Sequence, residues 1–312
     1  MGKATREAYG QELAELIKEN SKIVVLDADL AGSTKTIEAK KVKPDRFFDM
    51  GIAEANMIGH AAGLAASGYI PFASSFSMFC TGRAWEQIRN SVAYPHLNVK
   101  IVGTHSGITV GEDGASHQAI EDIAIMRAIP GMEVYVPCDA AETRAVIRYV
   151  STTKNPCYVR LGRASVDDVY DDNTKFDFHK IKIVNAGEKV AIFATGIEVQ
   201  EALKAAKCLQ AYGINPTVVD VCSIKPLDEA GIVNILKTHE KIITVEEHNV
   251  IGGLGDAISS VSTKIEPKLI TKIGMPDCVG ESGKPNELLS KYRLTYETIC
   301  EEANPLYEYH SE

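Results

Sequence analysis

Between Thr104 and Gln118 the chain sets His105 and His117 beside Glu112 and Asp113, with Gly107, Gly111 and Gly114 spaced among them. Histidine and carboxylate groups at this density can move protons and hydrogen-bond to hydroxyls. Glycine lets the backbone take shapes other residues resist and lets a ligand come close. A segment that only joined two elements would have little use for this set. Metal binding is the rival reading of His105, Asp113 and His117. Their spacing matches no structural zinc pattern and HExxH is absent, so no metal is expected on this chain.

Glu54 is the second candidate. It stands in a run of largely small and apolar residues that continues to Ala65. A long charged side chain in such company is rarely buried without a partner. Gly51 interrupts a strand-like run, and helix-compatible residues follow to Ala66. Glu54 is therefore expected in the first turn of a helix, where the dipole favours negative charge. A solvated first-turn glutamate is the plain alternative.

The elements that must position these groups alternate along the chain. Helices are expected over 4–19, 54–66, 76–92, 119–128 and 140–150, with strands over 23–26, 70–73, 99–103, 132–136 and 157–161. A polar stretch follows, and then strands over 190–193, 216–221, 242–245 and 269–273 alternate with helices near 197–212, 228–238, 252–263 and 286–302. The expected fold class is α/β, with two domains that are each a mostly parallel sheet covered by helices. The expected division is 1–165, a linker over 166–187, and 188–312. Ligands of open α/β sheets bind beyond the carboxyl ends of the strands. Three loops fall there: Asp27 to Ser33, Thr104 to Gln118, and Arg160 to Arg163.

The chain has 312 residues, 45% hydrophobic and 24% charged, and a net charge of −9. Its length suits two domains. The charge argues against a nucleic-acid or anionic-membrane surface as the main role. Seven scattered cysteines without a CxxC suggest reduced thiols, each expected to be a small buried hydrophobe. With no apolar leader and no run long enough to cross a bilayer, a cytoplasmic location is expected. Gly252-Gly253-Leu254-Gly255 reads as a tight strand-to-helix turn rather than a dinucleotide loop. There is no Walker A string and no GxSxG.

Taken in order, several strings resemble the transketolase family of thiamine-diphosphate enzymes, specifically the second half of a conventional transketolase. They are Ala4-Thr5-Arg6, Asp29-Leu30 with Ser33, Asp49-Met50-Gly51-Ile52-Ala53-Glu54, Phe76 with Phe79, Thr104-His105, Gly111 through Gln118, and Val245-Glu246-Glu247-His248 with Gly252 to Gly255. The resemblance implies a pyrimidine-binding fold followed by a transketolase C-terminal-like domain. It implies that Glu54 hydrogen-bonds N1′ of the aminopyrimidine and that Phe76 and Phe79 form the aromatic wall beside that ring. Gly82 stands where the family has a third aromatic. Asp113 and His117 match contacts to donor-sugar hydroxyls. His105, Arg6, Ser33 and Arg160 match phosphate-end contacts, with Arg163 a substitute for Arg160. Asp29 matches a residue near the cofactor across the dimer. His105 also sets the chain apart from deoxyxylulose-phosphate synthases.

The family holds the diphosphate through Mg²⁺ with a motif that begins Gly-Asp-Gly and ends in Asn, and this chain has no such string. The resemblance thus implies the small subunit of a split transketolase, whose N-terminal partner holds the diphosphate and metal. Two copies of each chain would form the particle. The implied reaction is reversible transfer of a two-carbon ketol unit from a ketose phosphate to an aldose phosphate in the pentose phosphate pathway. The alternatives are a β subunit of a 2-oxo acid dehydrogenase, a half of a deoxyxylulose-phosphate-synthase-like enzyme, and an inactive regulatory paralogue.

Overall fold

The structure is a computed structural model and describes residues 2–304. The last residues of the expected second unit, 305–312, lie outside the described residues. The first half runs α1 (Thr5–Glu19), β1 (Ile23–Asp27), α2 (Ala31–Thr34), α3 (Ile37–Val42), β2 (Phe47–Asp49), α4 (Glu54–Ala66), β3 (Ile70–Phe76), α5 (Trp85–Gln87), β4 (Lys100–Thr104), α6 (Asp122–Arg127), β5 (Glu133–Tyr135), α7 (Ala140–Thr152) and β6 (Cys157–Arg160). The second runs β7 (Lys182–Asn185), β8 (Lys189–Ala194), α8 (Glu198–Leu209), β9 (Thr217–Asp220), β10 (Ser223–Lys225), α9 (Glu229–Thr238), β11 (His239–Asn249), α10 (Leu254–Ile265), β12 (Ile270–Met275), α11 (Pro285–Lys291) and α12 (Tyr296–Ala303).

The first sheet has the order β10-β5-β6-β4-β3-β1-β2, parallel except at β10. Its central strands are continuous apolar runs such as Ile23-Val24-Val25-Leu26, as a sheet covered on both faces requires. One face packs on α1 and α7 through Leu13, Ile17, Val146 and Ile147. The chain adds β2 on one side of β1 and then crosses to add β3 on the other. That reversal opens a crevice at the carboxyl ends of the strands. Register sets Phe76 beside Thr104 and Gly103 beside Arg160, so the loops that follow emerge together.

The second sheet, β12-β11-β8-β9-β7, is parallel except at β7. Lys182–Asn185, inside the polar stretch, form its edge by pairing with β9, and one crossing knits the two sheets: Ser223–Lys225 return to pair with β5 of the first. One buried cluster joins Ile101 and Val134 of the first sheet to Phe193 and Val219 of the second.

Two helical expectations differ from the fold. Strand β3 continues to Phe76, and the span expected as one helix becomes wide π-type turns at 78–83 and 88–93 flanking α5. Thr81 Oγ1 donates to Ser77 O at 2.6 Å, a back-bond that competes with the regular ladder. The span 286–302 is two helices, broken where Arg293 takes a φ of 59°. Among the cysteines, Cys278 is exposed and Cys208 half-buried, so the expectation of seven buried thiols holds only for the other five. No described helix is long and apolar enough to cross a membrane.

Buried acids line the junction of the two sheets. Asp139 caps α7 by accepting Glu142 N–H at 2.8 Å, and its other oxygen accepts the N–H groups of Val169 and Tyr170 at 2.8 Å. Cys138 N–H donates to Glu142 at 2.8 Å, and Tyr170 Oη donates to Asp220 at 2.6 Å. Ligand-capable atoms of Cys138, Glu142 and Asp220 lie within 4.8 Å of one another. Burial pushes the Asp220 carboxyl up to about 6 and Glu142 well above its ordinary range. A carboxyl raised on folding stabilises the fold below its unfolded pKa, and that contribution fades as pH rises toward the folded value. Glu142→Gln keeps the acceptor for Cys138 and needs no proton. Melting curves should show the variant gaining on the parent as pH rises above the ordinary glutamate range, with a slope of at most about 1.4 kcal/mol per pH unit for one proton.

Candidate functional site

The loops after β1, β2, β3, β4 and β6 meet at the crevice. Glu54 is the first residue of α4 and is 3% exposed. Among the described residues its carboxylate pairs with the half-exposed Arg83, whose Nη1 lies 3.4 Å from each oxygen. The same guanidinium lies 4.3 Å from the Phe79 ring centroid. Arg83 was not foreseen. Its signal is the four-residue step from Phe79, which the π-type turn converts into a cation–π contact. A planar cation over an aromatic ring and against a carboxylate occupies the kind of slot a flat heteroaromatic base could use.

His105 sits at the base of the crevice, buried, with a φ of 59°. This left-handed conformation is uncommon for a side chain, though histidine adopts it more readily than most. Its ring stacks on Phe76 at 3.8 Å between centroids. His117 meets Phe79 edge-on at 5.0 Å. The two rings of the expected aromatic wall and the two histidines thus form one cluster. His105 Nδ1 is 2.9 Å from Thr104 Oγ1, and its Nε2 is 3.4 Å from Arg6 Nη1. Arg6 can only donate, so Nε2 is the unprotonated nitrogen and Nδ1–H donates to Thr104. Burial pushes the imidazole down to about 3, aided by the charges of Arg6, Arg163, His117 and Lys35. A neutral histidine in contact with Arg6, and within reach of the charges of Arg163 and Lys35, suits an anionic ligand.

Arg6 Nη1 also donates to Ser33 O at 2.8 Å, so Ser33 joins the group through its backbone. Asp113 is exposed and lies 4.0 Å from Arg163. Arg163 also contacts Glu112 and the carbonyl of Val110. Asp29 is exposed after β1 with a φ of 63°, and no described contact ties its side chain to the cluster.

Arg160 is not among them. It is 4% exposed. Its Nε donates to Asp122 at 2.7 Å, and its Nη2 donates to Ala119 O at 3.1 Å and Glu247 O at 2.9 Å. Tyr158 Oη donates to the same Asp122 oxygen at 2.6 Å. Arg160 is committed to protein acceptors, which leaves Arg163 as the arginine at the open rim.

The second sheet supplies no group to the crevice itself. Glu246 accepts the N–H groups of Leu254 and Gly255 at 2.6 and 2.8 Å, so the glycine string is the tight turn the sequence suggests. His248 is fully buried, with Nδ1 2.7 Å from Asn249 O, and burial pushes it down to about 4. It is a structural histidine.

A carboxylate, an aromatic wall and cationic groups at the carboxyl ends of the strands form an arrangement suited to binding a ligand in an open α/β protein. The profile of the transketolase pyrimidine-binding domain matches residues 1–168, and that of the transketolase C-terminal domain matches residues 179–299. The chain belongs to the transketolase family and corresponds to its C-terminal half. A putative transketolase C-terminal section of Methanocaldococcus jannaschii is 52% identical over 302 residues, covering 96% of this chain and 94% of that protein. Human transketolase is 37% identical over 96% of this chain, which spans only 48% of the human protein. A solved structure described as a split gene transketolase, inactive beta4 tetramer, superposes with a TM-score of 0.88 at 48% identity, covering 96% of both chains.

The two arginines separate in a simple experiment. Arg160→Ala strands the buried Asp122 and should cost about 3–5 kcal/mol in denaturant unfolding. Arg163→Ala should stay within about 0.5 kcal/mol of the parent.

Proposed function

We propose that this chain is the small subunit of a split transketolase. Residues 1–165 would be its pyrimidine-binding unit and 188–312 its C-terminal unit, with 166–187 between them. With an N-terminal partner subunit it would move a two-carbon ketol unit from a ketose phosphate to an aldose phosphate. The observation that carries this reading is the buried Glu54 at the start of α4, on the Phe79 side of the crevice and held among the described residues by a long contact to Arg83. That donor set fits the aminopyrimidine end of thiamine diphosphate: a shielded carboxyl for a ring nitrogen and a flat apolar wall for the ring.

When bound, the cofactor supplies the carbanion chemistry of the transfer. Glu54 hydrogen-bonds N1′ and holds a proton there. Phe76 and Phe79 exclude water from that face. His105, neutral and donating through Nδ1 to Thr104, has one acceptor lone pair at Nε2, which would pass from Arg6 to a substrate hydroxyl once Arg6 turns to the phosphate. Asp113 and His117 accept and donate hydrogen bonds to further hydroxyls. Arg6, Lys35 and Arg163 receive the phosphate, where a guanidinium can bond two oxygens at once. The diphosphate and its Mg²⁺ would be held by the partner, because this chain lacks the Gly-Asp-Gly string. Two copies of each chain satisfy dimer symmetry, and Asp29 would then lie near the second site.

The test is ketol transfer by this chain alone and with the N-terminal half, each with thiamine diphosphate and Mg²⁺. Activity is expected only in the mixture, and full transfer by the isolated chain would overturn the split-enzyme reading. In the mixture, Glu54→Gln should slow proton–deuterium exchange at the cofactor's C2 by about a hundredfold or more. Near-normal exchange would remove Glu54 from its role.

A further inference from the structure

The loop that carries His105, Asp113 and His117 is shaped from outside its own sheet. Glu247, near the end of β11, is buried, and its Oε1 accepts Thr109 N–H at 2.6 Å. Its carbonyl accepts from Arg160, whose Nη2 also bonds Ala119 at the loop's far end. The Glu247 carboxylate lies against Gly107. A Cβ at residue 107 would fall inside contact distance of both Glu247 oxygens, and its φ of 73° is one that L side chains rarely adopt. Gly107 N–H bonds Ala119 O at 2.9 Å, closing the neck of the loop. Beyond the neck, Gly114 faces Ser282, and Gln118 Nε2 donates to Glu281 O at 2.8 Å. Glu247, Glu281 and Ser282 all come from the second half of the chain.

We propose that Glu247 is a positioning residue: by fixing the Thr109 amide it sets where His105 and Asp113 stand in the crevice. The assignment rests on the transketolase reading for its kinetic consequence but not for its structural one. A bond from a backbone N–H to a buried carboxylate is short and strong, and without it the amide is left unsatisfied. Gly107 complements it, since no other residue leaves room for the carboxylate at the neck. The second half of the chain thereby acquires a task in the site although none of its described residues lines the crevice.

Two readouts test this. The first is amide hydrogen exchange on the full chain. Glu247→Ala should cut protection at Thr109 by about tenfold or more, while β8 and α8 keep theirs. Glu247→Gln retains an acceptor oxygen and should recover most of the protection. The second is ketol transfer in the complex with the N-terminal half. Glu247→Ala should raise KM for the ketose phosphate about tenfold with a smaller change in kcat, and Glu247→Gln should bring KM back. If the alanine variant does not fold, Gly107→Ala disturbs the same contact from the other side and should raise KM likewise. Unchanged Thr109 protection overturns the assignment, as does equal loss of protection across the whole second sheet. Unchanged KM in an active complex overturns it too. A parent complex with no ketol transfer defeats the functional reading instead, and the exchange result then decides this inference alone.

Discussion

The Arg160 guanidinium is the pin on which the rest of this molecule turns. It is buried at the carboxyl end of β6 and bonded to Asp122, to Ala119 at the exit of the His105 loop, and to Glu247 in the second sheet. Burial alone would lower its pKa, but the charges of Asp122 and Glu247 outweigh that and hold the proton firmly. A buried ion pair is weak evidence for net stability, because desolvation cancels much of the attraction. Its value here is registry. Two segments far apart in sequence, Ala119 with Asp122 on one and Glu247 on the other, give acceptors to one planar, permanently charged fork at the end of β6. The crevice can then stay open above while its floor is rigid.

Upon that floor the electrostatics divide in two. On one side a carboxylate at a helix N-terminus sits under apolar cover with Phe79 and Arg83 beside it. On the other, a neutral histidine lies among Arg6, Lys35 and Arg163. Burial keeps His105 uncharged, so it can accept a hydrogen bond where an imidazolium could only donate. A flat base on one side and the phosphate of a second molecule on the other would each find complementary groups. The chain offers this set without the string that the family uses for the diphosphate.

Much of this was legible in the residues. Strand β1 is a run of β-branched and aliphatic residues that a doubly covered sheet demands, and Gly51 before Glu54 marks the start of α4. His105, His117, Phe76 and Phe79 were each singled out, and the fold brings them into ring contact. What stayed hidden depends on distant partners or on local competition. Arg160 reads as a strand-end cation until Glu247, 87 residues on, is seen to accept from it. Arg83 reads as a surface arginine until the π-type turn swings it over Phe79. Strand β10 is three residues long and is a strand only because β5 offers an unpaired edge. The second sheet holds no ligand group, and its part in the site lies in backbone supports that composition cannot reveal.

The central claim, that this chain builds the pyrimidine side of a shared pocket, is tested most directly by a structure of the assembled particle with thiamine diphosphate bound. The distance to measure runs from the Glu54 carboxyl to the pyrimidine ring nitrogen. The account predicts a hydrogen bond of about 2.6–3.0 Å, with Arg83 displaced from the carboxylate. Glu54 still paired with Arg83 while the pyrimidine lies elsewhere would contradict it.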